Sequence, residues 1–86
     1  MSKAFTVTHL KTDGSSAEVE IESGDTLSQL QGLVGGYIEL VRNVANLPED
    51  KILLVNEEGL LHSLPRNPHI RGIVGNAILM NDADFD

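Results

Sequence analysis

Residues 16–22 read Ser-Ala-Glu-Val-Glu-Ile-Glu, and no other stretch restricts the fold so tightly. Side chains that alternate apolar and charged with a period of two can serve water and core together only on a strand with one covered face. Ala17, Val19 and Ile21 form the inward row, and Glu18, Glu20 and Glu22 the outward one. Residues 4–10 alternate as well, with Phe5, Val7 and His9 opposed to Thr6, Thr8 and Leu10. Thr12-Asp13-Gly14-Ser15 between them is a turn signal, so the two strands make a hairpin. Parity sets the loop. Val7 faces Val19 or Ile21 only across an odd number of loop residues, which predicts a three-residue Thr12-Asp13-Gly14 loop with Gly14 left-handed.

A helix follows. Thr26 and Gln29 have the spacing of a capping box, and Asp25 adds negative charge at the helix start. Leu27, Leu30 and Val34 recur at helical spacing, Leu33 widens the stripe, and Gly35-Gly36 ends the element. Residues 37–41 predict a strand, and residues 47–50 a connection. Ile52-Leu53-Leu54-Val55 is a continuous apolar run, expected as a central strand covered on both faces. Asn56-Glu57-Glu58-Gly59 predicts a turn with Gly59 at positive φ, followed by an extended piece at Leu60-Leu61. The two prolines of Leu64-Pro65-Arg66-Asn67-Pro68 exclude regular helix or inner strand. A last strand is expected over residues 77–80, and the acidic tail 82–86 is expected to fray.

These elements predict one α+β domain over residues 1–81. Its small mixed sheet of four to five strands packs on one short helix, in an order resembling the β-grasp arrangement, with a different α+β layout as the rival. The expected core is Val7, Val19, Ile21, Leu30, Val34, Ile38, Ile52, Leu54 and Ile78. An 86-residue chain has room for one domain only. With three aromatic residues and no cysteine, the core is aliphatic and carries neither disulfide nor thiolate metal site.

Thirteen acidic residues against six lysines and arginines give a formal charge of −7. This balance opposes direct binding to nucleic acid or to an anionic membrane. It suits solubility, or an acidic surface that engages a basic partner or imitates nucleic acid. No apolar run spans a bilayer, and no leader pattern stands at residues 1–5, so the expected location is the cytoplasm. No P-loop, nucleophile elbow or dinucleotide fingerprint is present. His9, His62 and His69 lack metal-motif spacing. Hence no catalytic residue, metal or cofactor is expected, and the chain reads as non-enzymatic.

Four segments in succession carry a resemblance: Leu33-Val34-Gly35-Gly36-Tyr37-Ile38-Glu39, Val55-Asn56-Glu57-Glu58-Gly59, Leu64-Pro65-Arg66-Asn67-Pro68, and Ile73-Val74-Gly75-Asn76-Ala77-Ile78-Leu79. Together they resemble a short domain family of unknown function that is frequent in bacteriophages, mobile elements and their bacterial hosts. The similarity covers residues 26–81, and the hairpin matches in pattern only. The resemblance implies a phage setting, with host takeover or counter-defence as roles and a host protein as partner. It also implies that Tyr37, Glu39, Asn56, Glu57, Glu58 and Asn67 recur at motif positions, as a binding site or as turn-forming residues. The alternative function is a small-ligand module that sequesters, for example, a nucleotide signal. Such a site would accept phosphates only if Arg42, Arg66 and Arg71 converge. An exposed edge strand gives the chain reason to form a homodimer.

Overall fold

The alternating residues close into the expected hairpin, β1 (Ala4–Leu10) and β2 (Ser16–Glu22), with Val7 opposite Val19 and Phe5 opposite Ile21. Lys11 N–H donates to Ser15 O at 2.9 Å, which leaves three loop residues, and Gly14 takes φ +92°. The computed structural model describes residues 4–22, 24–42 and 47–85. Met1, Ser2 and Lys3 of the leader reading, and Asp86 of the tail, lie outside them.

Helix α1 (Thr26–Val34) buries Leu30 and Val34 and ends at Gly35, whose φ of +81° lets its N–H return to Gln31 O. The expected capping box does not form. Asp25 is the N-cap and no side chain caps the helix. Gln29 turns instead to Glu22, its amide accepting from the Glu22 N–H at 3.1 Å and donating to the Glu22 carbonyl at 2.8 Å. A strand edge offering both groups at once outcompetes the local cap.

Strands β3 (Ile38–Val41), β4 (Lys51–Asn56) and β5 (Ala77–Asn81) complete a five-stranded sheet ordered β2-β1-β5-β4-β3. The α+β class, the single sheet-packed helix and the inner position of the 52–55 run agree with the sequence reading, and the last strand, β5, takes the middle of the sheet. The pairing differs from a mixed sheet: all four ladders, β1–β5 at the centre included, are antiparallel.

Strand β4 is covered on both sides, as its unbroken apolar run requires. On the helix side Ile52 and Leu54 join Val7, Ile21, Leu30, Val34, Ile78 and Met80, with Val19 and Ile38 only half-buried at the margin. On the far side Leu53, Val55 and Ala77 are closed over by Ile70 and Ile73 from the long connection between β4 and β5. That connection starts in turns, so the extended piece expected at Leu60-Leu61 is absent, and both leucines are exposed. The tail expected to fray makes a helical turn, α2 (Asp82–Phe85). Arg42 grips Asp82 with two bonds of 2.8 and 3.0 Å, and Phe85 packs on the helix-side core.

Candidate functional site

Two motif asparagines are spent on the fold. Asn56, at the end of β4, accepts from the Glu58 N–H at 2.8 Å and donates to Val34 O at 3.2 Å. Its amide ties the turn after β4 to the end of α1. Gly36 makes room for it, since a Cβ there would stand 2.9 Å from Asn56 Nδ2. Asn67 accepts from the His69 N–H at 2.9 Å and donates to Leu10 O and Gly75 O, each at 2.9 Å. It is 4% exposed, and both its donor hydrogens are used. Asn67 therefore pins the long connection to β1 and to the approach to β5. Gly59 does not take the positive φ expected of it; its place is fixed by crowding, with Val74 Cγ2 2.8 Å from where a Cβ would be.

The other motif residues divide. Tyr37, exposed, shares a small cleft of about 220 Å³ with Asn56, Glu58, His62 and Gln31. His62 Nε2 stands 3.4 Å from Glu58 Oε1, with both side chains about half exposed. That separation is too long to orient the imidazole tightly. Glu57 is exposed, and its N–H donates to Tyr37 O at 2.8 Å. Glu39 pairs with Val55, and the period of two puts it on the sheet face away from the helix, opposite to Asn56. The structure thus gathers Tyr37, Asn56 and Glu58, and separates Glu39 and Asn67 from them.

The histidines also stand apart. His9 is buried and its Nε2–H donates to Leu33 O at 2.9 Å, since a carbonyl can only accept. His69 approaches Ser15 O at 3.0 Å. Among the described residues no group of three or more His, Asp or Glu could hold a metal, and no helix is long and apolar enough to cross a membrane. Two carboxyls lie below their ordinary range: Asp13, through the hydroxyl and N–H of Ser15, and Asp82, through Arg42, whose own value is raised in turn.

Strand β2 is the surface that the sequence pattern understated. It is a sheet edge, and Glu18, Glu20 and Glu22 are all exposed on the face away from the helix. Backbone groups of an edge strand point alternately toward the neighbour and outward. Those of Glu22 point outward, where Gln29 satisfies them. By the same period the N–H and C=O groups of Glu20 and Glu18 point outward too. Beyond the Gln29 plug, then, the outward backbone groups of Glu18 and Glu20 have no partner among the described residues. The alternation foretold the acidic row; that it lies on an edge could come only from the pairing of β1 with β5.

Compared with known families, residues 5–86 match the model of a family described as a domain of unknown function, DUF3846. The match takes in the hairpin, which the four motifs left outside. No curated protein and no solved structure matches the chain.

Proposed function

We propose that this chain, which belongs to the DUF3846 family of unknown function, is a non-enzymatic module that binds a basic protein segment along the edge of β2. One observation carries the reading: the outward backbone groups of Glu18 and Glu20, without partners among the described residues, coincide with an exposed acidic row on an edge strand. An extended segment added there as a sixth strand would gain main-chain hydrogen bonds, the usual source of affinity in strand addition. Its alternate side chains would stand about 4.5–5.5 Å from the glutamates. A row of lysines or arginines at every second position fits that register, and the formal charge of −7 attracts such a segment from a distance. Nucleic acid, being anionic, is repelled by the same field.

The edge disfavours self-pairing, because a second copy of β2 would set glutamate against glutamate. The partner is therefore a different protein. Within the phage or mobile-element setting that the motif resemblance implies, it is a basic host protein met in the cytoplasm, and the role is takeover or counter-defence.

Calorimetry with two peptides of equal composition tests the reading, one alternating lysine and valine, the other with its lysines in one block. The alternating peptide should bind about tenfold more tightly, and charge reversal of Glu18, Glu20 and Glu22 should weaken it by a similar factor, each exposed pair contributing roughly 0.2–1 kcal/mol. Glu20→Pro should fold, since the lost N–H points to solvent, yet bind poorly because a ladder donor is gone. Equal affinity for both peptides, or full affinity in the Glu20→Pro variant, would overturn the proposal.

A further inference from the structure

A second surface, independent of β2, lies in the long connection. We propose that the groove between Arg66 and Arg71 binds a phosphomonoester carried on a compact, ring-bearing small molecule.

The groove measures about 530 Å³, within the range of roughly 300–1,000 Å³ usual for small-ligand sites. Arg66 and Arg71 line it together with Leu60, Ile70, Ile73 and Val74, and no carboxylate does. Among the described residues neither arginine enters an ion pair, whereas Arg42 is held by Asp82. In a chain with thirteen acids and six lysines and arginines, two arginines sharing an acid-free groove go against the composition. Of the three that could have converged, Arg42 stands elsewhere and these two line one groove.

The loop that presents them is held in shape before any ligand arrives. Arg66 bridges to Val74 across its neck, Asn67 N–H donates to Ile73 O at 2.8 Å, and the buried Asn67 amide fixes the turn from within. Gly72 takes φ +87° directly after Arg71. Binding there orders little new chain, which lowers its cost.

Charge selects the ligand. Two guanidiniums match a phosphomonoester, which carries about −1.5 to −2 at neutral pH. A lone carboxylate would leave one of them uncompensated. The forks of both arginines suit phosphate oxygens in paired hydrogen bonds. Ile70, Ile73 and Val74 supply the apolar wall for a ring, and Leu60, 82% exposed, extends the apolar lining. Long polyanions meet the repulsion of the whole acidic chain, while a small dianion meets chiefly the local pair.

The probes are AMP, adenosine and inorganic phosphate, titrated at low ionic strength by calorimetry. AMP should bind at least about tenfold more tightly than either fragment, a gap of roughly 1.4 kcal/mol. Arg66→Ala and Arg71→Ala should each cost a similar factor, while reversal of the β2 glutamates should leave AMP binding in place. Should an alanine variant fail to fold, Arg66→Lys and Arg71→Lys read the same loss, since lysine keeps the charge but lacks the fork. No heat at millimolar AMP, equal binding of adenosine, or full affinity in the arginine variants would overturn the proposal. A phosphoserine peptide that binds more tightly than AMP would overturn the small-molecule assignment.

Discussion

Truncating Asn67 to alanine should destabilise the whole domain, although the residue lies in an irregular connection. Its amide makes three hydrogen bonds, to His69 N–H, Leu10 O and Gly75 O. The side chain is 4% exposed, so water cannot replace them freely. Each bond contributes about 0.5–1.5 kcal/mol net, and a partner left buried and unpaired costs about 1–3 kcal/mol. The three together predict a loss of roughly 2–4 kcal/mol after partial relaxation. For a domain of this size that is a fall in melting temperature of about 10–25 °C. Asn67→Asp should be no better, because a carboxylate would face two carbonyl oxygens that need donors. Urea and thermal unfolding followed by circular dichroism supply the measurement. If Asn67→Ala melts with the parent, the amide is not holding the connection, and its place in the motif needs a reason outside folding.

Leu30→Ala should cost about 2–4 kcal/mol in urea melts, because Leu30 is 1% exposed at the centre of the helix-side core. Gly36→Ala should cost about 1–3 kcal/mol by crowding Asn56, and most of that cost should vanish in an Asn56→Ala background, giving a clear coupling in a double-mutant cycle. The folded-state pKa of Asp82 is depressed by Arg42, so the stability it adds is present above the unfolded aspartate value and lost as pH falls through the lower folded one. Parent and Asp82→Asn should therefore differ in stability at neutral pH and converge in acid, as paired urea melts across that range would show.

What was legible in the sequence follows from how far each residue reaches. The hairpin was readable to the register, because the parity of Val7, Val19 and Gly14 depends on neighbours alone. The apolar run 52–55 announced a strand covered twice. What covers it could not be read, because Ile70 and Ile73 reach the far side only after Asn67 bonds to Leu10, 57 residues back. Gln29 misled for a related reason. Its spacing from Thr26 fits a capping box, but the outward groups of Glu22 are a better partner that only tertiary structure brings near. Among the motif residues, Tyr37, Asn56 and Glu58 line one small cleft, with the Asn56 amide spent on its own turn and on the end of α1. Glu39 leaves them because one step along a strand reverses the face. The arginine groove depended on a loop whose shape Pro65 and Pro68 restrict without specifying.

The most direct test of the β2 edge is an amide NMR titration of the ¹⁵N-labelled protein with the alternating lysine–valine peptide. Strand addition predicts that the Glu18 and Glu20 amides shift most and become protected from hydrogen exchange. Those of Val19 and Ile21, already bonded to β1, should change little. Tight binding that leaves the Glu18 and Glu20 amides unshifted and unprotected would contradict the account.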